Sequence, residues 1–534
     1  MNLRDKEIKW SHIFFALAVI IGAWFRFYHL ELKPLHHDEG VNSNFLLNLA
    51  NTGDYRYDPT NYHGPTLYYF ALVSLRLFGD NEFALRFIPA FFGLLTIILI
   101  WPLRTHLGPV GLVVAAFCMA ISPGLVYFSR DFIHEMAFGC FSMGVITGAW
   151  RFAETKEFHW LLLLAGSAGL LIATKETAII TIVVLLIAIF CASLWDNLNL
   201  LFSEQHLTAH SLFDQLNRDW KAILPTADHA IAASLIFLFT NIIFYTSLFT
   251  HWGGAYDAVK SVYLWAQRSG SEHVKNFWYY FGILLKLELP MLSGALIGAV
   301  FVIRRGTRFW LFTAAWLLGM FLAYSIIGYK TPWLMISFLI PLALMSGYAA
   351  QQLFQSLKSL YSRLLLIVVV FLTLFYSARL SWTVNMVKYD DNGNQTAYLR
   401  KLGEKLELKP YKDGQYGYVY AQTERDILNF VKEIKEETAK MPLRNRTGIY
   451  FASSDYWPLP WYLRDNNNVA YTGNLDIPPG STPKISQPII VAKTDQQMQL
   501  DGIPGWRLIT RPYTLRPGVE LVIYIHDKVT MITK

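Results

Sequence analysis

The chain has 534 residues, of which 54% are hydrophobic and only 16% are charged. A soluble protein carries about 25% charged residues, so this composition excludes an ordinary soluble protein and indicates that much of the surface faces lipid. The net charge of +7 does not indicate a nucleic-acid partner, because the basic residues are scattered between apolar runs. Anionic lipid head groups and phosphate-bearing substrates are the expected partners.

Apolar runs predict an α-helical polytopic membrane protein with about eleven spanning helices, since one span needs about 20 mostly apolar residues. The predicted spans are residues 11–30, 83–103, 109–128, 133–152, 159–174, 177–195, 229–250, 278–303, 309–327, 332–352 and 363–384.

The cations near the spans predict the orientation, because lysine and arginine favour short cytoplasmic loops. Arg4, Lys6 and Lys9 precede the first span and indicate a cytoplasmic N-terminus. Alternation of the spans then places residues 31–82, residues 251–277 and the C-terminus outside. We therefore expect a multi-pass protein of the plasma membrane with an extracytoplasmic C-terminal domain.

Two adjacent carboxylates, Asp38 and Glu39, follow the first span. Such a pair can serve as general base towards a hydroxyl or bind a divalent cation, and the alternative is a solvated loop start. His36 and His37 precede them, but this spacing is no established ligand pattern. A metal site that includes Asp38, Glu39 and Glu135 stays open as an alternative.

His63, Gly64 and Pro65 open the apolar segment Thr66–Phe78, which is too short to span a membrane. We expect an interfacial helix along the outer surface, with His63 lining a pocket. The alternative is that His63 only marks the start of the helix.

Ionisable residues cluster at the tip between the third and fourth predicted spans, where they are costly unless paired or functional. Arg130 is predicted to bind a phosphate through two nitrogens of its guanidinium, and the alternative is an ion pair with Asp131 or Glu135. His134 and Glu135 are candidate pocket residues at the same tip. Glu288, a lone acid in a later apolar run, is interpreted as structural.

Two further cations interrupt apolar sequence. Lys175 is predicted to meet an anionic head group, and the alternative is neutralisation by its neighbour Glu176. Lys330 is a second candidate for phosphate, unless it extends to the membrane surface beside Trp333. In the predicted orientation all five polar clusters map to the outer face, which predicts one outward-facing active site.

The C-terminal region has mixed polar and apolar sequence with turn signals, which predicts a soluble α/β domain of about 140 residues. The predicted domains are 1–385, with a first outer loop at 31–82, and 386–534. The predicted strands are 416–421, 447–452, 468–473, 488–493, 506–511 and 519–525, and the predicted helices are 396–407 and 424–440. Sequons at Asn394 and Asn445 are attributed to chance.

The order of these motifs resembles a known family over about residues 10–190. Residues 36–39, 53–55, 63–69, 77–79 and 82–86 resemble the first outer loop of the protein O-mannosyltransferase and aminoarabinose-transferase superfamily, the family 39-like glycosyltransferases of the C-type fold. Arg130 followed by Glu135 resembles their second-loop motif, and residues 173–177 resemble a segment with a phosphate-contacting lysine. Residues 330–333 and 458–465 look closest to the flippase-activity-associated branch.

The resemblance implies a polyprenyl-phosphate-linked sugar donor, an acceptor hydroxyl on a protein, lipid or polysaccharide, and inversion at the anomeric carbon. Asp38 would be the base, with Glu39 as its neighbour or the alternative base. The donor phosphate would be bound by Arg130, Lys175 and Lys330, and the same pocket would be lined by His63. Some members of the superfamily use a divalent cation and others do not.

The sequence departs from the usual pattern of this family at two places that bear on the geometry of the acceptor site. Glu135 stands where an aspartate is usual, and His63, Gly64 and Pro65 stand where a Pro-Pro pair is commoner.

Two alternatives belong to other functional classes. A flippase or transporter of lipid-linked sugars would use the same cations to guide phosphate, but transporters often contain paired repeats, and no internal repeat is found here. A non-catalytic assembly or carbohydrate-binding partner would keep the C-terminal domain and have no need of the paired carboxylates. The clustering of polar residues on one face favours an enzyme.

Overall fold

The computed structural model describes residues 3–61, 63–203, 209–268, 273–386, 416–475, 485–509 and 511–527. Its internal contacts divide the chain into two compact units. The membrane unit comprises Met1–Leu30, Leu49–Pro410 and Tyr416–Tyr418, and the sheet unit comprises Glu31–Asn48, Tyr411–Gln415 and Val419–Lys534. The start of the predicted first outer loop therefore packs with C-terminal residues.

Helices account for most of the described chain up to residue 386. They are α1 (Leu3–Phe27), α2 (His37–Thr52), α3 (Thr66–Phe78), α4 (Glu82–Ile98), α5 (Arg104–Ile121), α6 (Pro123–Ser129), α7 (Glu135–Thr155), α8 (Phe158–Ile172), α9 (Ala178–Ser203), α10 (Ala209–Ile223), α11 (Ala227–Tyr245), α12 (Gly253–Arg268), α13 (Tyr279–Leu287), α14 (Leu289–Arg305), α15 (Arg308–Ile326), α16 (Ile336–Ser356) and α17 (Leu360–Asn385).

Seven helical segments among the described residues are long and apolar enough to cross a membrane, or eight if one bent pair counts as a single span. The prediction of about eleven spanning helices differs from this number at three places. Glu82–Ile121 counts as one apolar run, although two spans were predicted there, and neither α7 nor the short helix α8 is among the seven. The polytopic helical fold is confirmed, and the number of spans stays a prediction.

Two predicted spans are broken, and both breaks precede a proline. The predicted span 278–303 is bent by 107° between α13 and α14, where Glu288 is followed by Leu289 and Pro290. The predicted span 109–128 breaks at Ser122, immediately before Pro123. Proline cannot donate the hydrogen bond that would continue the preceding helix, and it disfavours helical backbone at the residue before it. The prediction of continuous helices at these two places was therefore wrong.

The short segment after Pro65 forms α3, with the bounds predicted from the sequence. One side of α3 is buried, including Leu67, Tyr68, Ala71 and Leu75. The helix is confirmed, and its position along the membrane surface stays a prediction.

The sheet unit contains one six-stranded sheet. Its strands are β1 (Ile449–Phe451), β2 (Val469–Tyr471), β3 (Ile489–Lys493), β4 (Trp506–Leu508), β5 (Tyr513–Arg516) and β6 (Val519–His526). The spatial order is β2-β1-β3-β6-β4, and β5 also pairs with β6. The β1–β2 and β1–β3 pairs are parallel, whereas β6 runs antiparallel to its three neighbours.

Helices complete the sheet unit: α18 (Asp426–Ala439), α19 (Leu459–Tyr462) and α20 (Gln497–Leu500). The central strand β3 is buried along Ile489, Ile490, Val491 and Ala492, so it is covered on both faces, as in mixed α/β sheets. One buried cluster joins Ala452, Ile490, Ala492, Leu500, Trp506, Val522 and Tyr524.

The α/β character of the C-terminal region is confirmed, with two errors in detail. Five predicted strands correspond to β1, β2, β3, β4 and β6, and the predicted helix 424–440 corresponds to α18. The predicted strand 416–421 is wrong, and β5 was not predicted. The predicted helix 396–407 and the Asn394 sequon lie outside the described residues, and Asn445 is exposed in the short 3₁₀ helix Arg444–Arg446.

Candidate active site

The two adjacent carboxylates of the first loop have different surroundings. Both lie in the first turn of α2, in the sheet unit. Glu39 is fully buried, and its Oε2 accepts the backbone N–H of His36 at 2.8 Å. The Asp38 side chain is 39% exposed. Glu39 therefore holds the start of its own helix, whereas Asp38 is accessible to another molecule.

The two histidines before these carboxylates are engaged by protein atoms. His36 Nδ1 accepts the backbone N–H of Asp38 at 3.2 Å, so its Nε2–H donates to the carbonyl of Tyr420 at 3.0 Å. His37 Nδ1 lies 3.5 Å from Nη1 of Arg516. Burial lowers the pKa of His37, although the nearby charge of Asp38 opposes this shift.

Four further predicted residues meet in the membrane unit. Lys175 Nζ donates to Glu135 Oε1 at 2.7 Å, and His63 Nδ1 lies 3.2 Å from Glu176 Oε2. His134 Nε2 lies 3.0 Å from the carbonyl of Gly64, and its ring centre is 5.0 Å from that of His63. Lys175 and Glu176 thus make these close contacts with residues from other stretches of chain rather than with each other.

This cluster forms because two loops approach each other at the backbone. The N–H of Gly64 donates to the carbonyl of Thr174 at 3.0 Å, and the hydroxyls of Thr66 and Thr174 are 2.8 Å apart. A Cβ atom at position 64 would lie 2.1 Å from the carbonyl oxygen of Ala173. Only glycine permits this approach, which brings His63 beside the loop that contains Glu176.

Electrostatics fixes the charges of the Lys175–Glu176 loop. Burial alone would lower the pKa of Lys175, but the carboxylates of Glu135 and Glu176 reverse this effect and raise it. Burial alone would raise the pKa of Glu176, but His63 and Lys175 lower it. Both side chains are therefore charged at neutral pH.

Arg130 lies a few residues before this cluster, yet its guanidinium faces the end of α1. Its Nη1 donates to the carbonyls of Phe25, Arg26 and Tyr28, and its Nη2 donates to the carbonyl of His29 at 2.6 Å. Arg130 is fully buried. It satisfies carbonyl groups that a helix C-terminus leaves without intrahelical partners. Its predicted role in phosphate binding stays a prediction, and these contacts use the same nitrogens.

Lys330 has a different environment from the other two cations. It is buried, and its Nζ donates to the carbonyl of Ile327 at 2.5 Å. Within the described part of the chain, no carboxylate forms an ion pair with Lys330. The ammonium group of Lys330 therefore has no counter-ion among the described residues, which the sequence alone did not reveal.

Glu288 organises both helix breaks of the membrane unit. Its Oε1 accepts hydrogen bonds from Ser122 Oγ at 2.8 Å, the N–H of Gly124 at 2.9 Å and the Tyr418 hydroxyl at 3.0 Å. From the sequence, Glu288 was interpreted as structural, but its partners were not predicted. The available signal was a lone acid shortly before a proline.

In the described residues, the side chains of the predicted metal site do not form a compact ligand cluster. The described residues contain no group of three or more His, Cys, Asp or Glu side chains arranged to hold a metal ion. Glu39 faces the His36 backbone and Glu135 faces Lys175, so each carboxylate already has a partner. The divalent cation stays a prediction.

An open apolar groove of about 390 Å³ lies between α8 and α11 and is lined by none of these site residues. Its lining includes Leu161, Leu164, Phe237 and Leu238. This chemistry suits a hydrocarbon chain rather than a polar substrate.

Comparison with known proteins identifies the fold. Residues 62–211 match the family model described as dolichyl-phosphate-mannose-protein mannosyltransferase. No curated protein sequence matches the chain.

Two solved structures share the fold over most of this chain. ArnT from Cupriavidus metallidurans, bound to undecaprenyl phosphate, is similar with a TM-score of 0.63 and 14% identity, over 96% of this chain and 98% of that one. The archaeal oligosaccharyltransferase AglB from Archaeoglobus fulgidus, in complex with an inhibitory peptide and a dolichol-phosphate, is similar with a TM-score of 0.53 and 13% identity. That similarity covers 91% of this chain and 70% of AglB.

The predicted assignment to the flippase-activity-associated branch stays a prediction, because neither comparison concerns that branch. The superfamily resemblance is supported by the family model over residues 62–211 and by the shared fold over nearly the whole chain. The protein therefore has the C-type glycosyltransferase fold, and its predicted resemblance to that superfamily is confirmed.

Proposed function

We propose that the protein is a membrane glycosyltransferase that moves a sugar from a polyprenyl-phosphate-linked donor to an acceptor hydroxyl on the outer face of the membrane. The acceptor belongs to a protein, a lipid or a polysaccharide. The proposal includes inversion at the anomeric carbon, because the acceptor oxygen displaces the phosphate directly.

The contrast between Asp38 and Glu39 carries this proposal. A general base must be accessible to the proton that it removes, and the Asp38 side chain is 39% exposed. Glu39 is fully buried and engaged by the His36 backbone, which suits a support of the loop rather than a base. We therefore assign the base to Asp38.

The reaction balances with these groups. The Asp38 carboxylate takes the proton of the acceptor hydroxyl as its oxygen forms a bond to the anomeric carbon. The bond between that carbon and the phosphate oxygen breaks, and polyprenyl phosphate leaves with the electron pair. A cation close to the phosphate stabilises the negative charge that develops there, most strongly in a site from which water is excluded.

Among the three predicted phosphate ligands, Lys330 is the best supported. Its ammonium group forms no ion pair within the described residues, whereas Lys175 is held by Glu135 and Arg130 by the end of α1. Lys175 and Arg130 are proposed as secondary phosphate contacts. His63, His134 and Glu135 are proposed to line the pocket.

The solved structures that share the fold support the ligand class. ArnT is bound to undecaprenyl phosphate and AglB to a dolichol-phosphate, and both ligands are polyprenyl phosphates. We propose the same chemical class for this chain, with the isoprenoid chain in lipid and the phosphate beside Lys330.

The test is transfer in vitro. Purified protein is supplied with a panel of polyprenyl-phosphate-linked sugars, and release of polyprenyl phosphate is measured for wild type, Asp38→Asn and Glu39→Gln. We expect Asp38→Asn to lower the rate by about 10²-fold or more without loss of folded protein. Glu39→Gln is expected to lower thermal stability as well as rate.

The matched control is Asp58→Asn, which removes an exposed carboxylate of the same segment, one that accepts the backbone N–H of Thr60 at 2.8 Å. It should release polyprenyl phosphate at the wild-type rate. Release that neither Asp38→Asn nor Glu39→Gln alters would contradict the proposal.

One observation favours a second candidate, a flippase of lipid-linked sugars. The break between α13 and α14 gives a helix pair bent by 107°, and broken helices are common in transporters. Movement of the donor between the leaflets of a liposome without release of polyprenyl phosphate would support this candidate against the transferase.

A further inference from the structure

The start of the first outer loop is held by residues from the C-terminal part of the chain, all within the sheet unit. The contacts are Arg425 Nη1 with Leu32 O at 3.3 Å, Gln422 Nε2 with Pro34 O at 3.1 Å, Tyr462 Oη with Leu35 N at 3.0 Å and His36 Nε2 with Tyr420 O at 3.0 Å. Further along, a Cβ atom at Gly40 would lie 2.7 Å from Cα of Pro458. Residues 32–40 are thus fixed at both ends.

Between these anchors, Arg516 approaches the loop from the sheet. Arg516 is the last residue of β5, and its Nη1 lies 3.5 Å from His37 Nδ1. Its Nη2 donates to the Asp455 carboxylate, which also pairs with Lys493 at 3.2 Å. The side chains of Arg516 and Asp455 are only 20% and 22% exposed.

These contacts fix the orientation of the Arg516 guanidinium. Asp455 is itself fixed, because its backbone N–H donates to Ser453 Oγ at 3.0 Å. A planar guanidinium that donates to a fixed carboxylate on one side presents its remaining donors in a defined direction. For Arg516 that direction is towards the ring of His37, the residue before Asp38.

We propose that Arg516, oriented by Asp455, is a positioning residue for the catalytic loop and sets the placement of Asp38 through His37. This inference rests on the proposed function, because it takes Asp38 as the base. It gives the C-terminal sheet a role in the reaction itself, beyond any role in acceptor recognition.

The physical reason is the sensitivity of catalysis to distance. A base displaced by about 1 Å can lose about 10²-fold in rate, while binding of a distant part of the substrate is unaffected. Loss of Arg516 should therefore lower kcat and leave the KM for the lipid-linked donor close to its original value.

The variants are made in the full-length chain. Arg516→Ala removes the guanidinium, Arg516→Lys keeps a charge but loses the fork, and Asp455→Asn weakens the orienting contact. The matched control is Arg507→Ala, which breaks an exposed pair with Asp527. In the sheet register, Arg507 lies opposite Ile525 and Arg516 lies opposite Val519. These two positions are about 20 Å apart along β6, so the control arginine lies beside a different part of that strand.

Two readouts are measured for each variant. The first is steady-state release of polyprenyl phosphate. The second is hydrogen–deuterium exchange of residues 32–40, which does not depend on activity and therefore also decides the inference if the proposed function fails.

We expect Arg516→Ala to lower kcat by about 10- to 100-fold, with the donor KM within about twofold and faster exchange at residues 36–39. Arg516→Lys should show weaker changes in kcat and exchange than Arg516→Ala, and so should Asp455→Asn. Arg507→Ala should change neither quantity.

The inference would be overturned by wild-type exchange in both Arg516→Ala and Asp455→Asn, or by equal effects of Arg507→Ala. If Arg516→Ala does not fold, Arg516→Lys and Asp455→Asn decide in the same way. An inactive wild type with the expected exchange pattern would instead contradict the proposed function alone.

Discussion

Lys175 and Glu135 form a buried ion pair, with Nζ 2.7 Å from Oε1 and both side chains almost fully enclosed. Removing one partner leaves the other charge buried without compensation. We expect Lys175→Met to lower the free energy of unfolding by about 3–5 kcal/mol, and the double variant Glu135→Gln/Lys175→Met to recover most of that loss. Thermal unfolding of the purified variants measures both effects.

The double variant also separates structure from function for Lys175. If Lys175 contacts the donor phosphate, the stable double variant Glu135→Gln/Lys175→Met should still release polyprenyl phosphate more slowly than the wild type. Wild-type activity in the double variant would restrict Lys175 to a structural role.

Glu176 makes stability depend on pH in a defined window. Burial opposes its ionisation, but His63 and Lys175 lower the pKa of Glu176 below its usual value of 4.5. The folded state therefore gains stability from ionised Glu176 at pH values above 4.5, and loses it as the pH falls through the lower folded-state pKa. Thermal unfolding of wild type and Glu176→Gln between pH 3 and 7 should show a constant difference above about pH 5 that shrinks below 4.5.

The control for this measurement is Glu436→Gln, which changes an exposed carboxylate of α18. Its difference from wild type should be small at every pH. A Glu176→Gln difference that grows as the pH falls would contradict the assigned direction.

The Tyr418 hydroxyl donates to Glu288, the acid between α13 and α14. Tyr418→Phe removes this single hydrogen bond from a buried carboxylate, so we expect a loss of about 1–3 kcal/mol in the free energy of unfolding. Tyr376→Phe, at an exposed position of α17, serves as the control and should change stability little.

A double-mutant cycle then tests whether the two residues act through this contact. In a Glu288→Gln background, Tyr418→Phe should cost less than in the wild type, because the carboxyl group that accepts this hydrogen bond is already replaced. Equal costs in both backgrounds would show that the stabilising effect of Tyr418 does not depend on the carboxyl group of Glu288.

Lys330 is expected to contribute to donor binding more than to the fold. Lys330→Ala should raise the donor KM by about tenfold, equivalent to about 1.4 kcal/mol, and leave thermal stability near that of the wild type. Lys286→Ala, at an exposed position of α13, is the control. An unchanged KM with lowered stability would assign Lys330 a structural role.

The sequence predicts the positions of these residues better than their partners. Lys175 and Glu176 were recognisable as charges in apolar sequence, but their partners Glu135 and His63 lie 40 and 113 residues away. Which acid meets which base depends on where the loops cross, and neither periodicity nor composition contains that information. The same holds for Arg130, whose carbonyl partners lie 101 to 105 residues earlier.

The wrong strand at 416–421 illustrates how tertiary contacts override local preference. Alternating tyrosines in this segment favour a β-strand. In the structure, the Tyr418 hydroxyl donates to Glu288 and the Tyr420 carbonyl accepts from His36, so neighbouring residues of the segment serve different partners. No strand of the sheet pairs with the segment in the described residues. The missed strand β5 has only four residues, directly after Pro512, which leaves little periodic signal.

The hydrogen bond between Leu35 and Tyr462 joins residues 427 positions apart, and it has a consequence for biosynthesis. When the first membrane helix leaves the ribosome, the segment that contains Asp38 has none of these stabilising neighbours, since they are translated several hundred residues later. Contacts of such long sequence separation form late in folding. The loop is expected to mature only after translation has passed Arg516, so nascent chains that stop earlier should be inserted in the membrane yet inert, and open to quality-control proteases at residues 31–48.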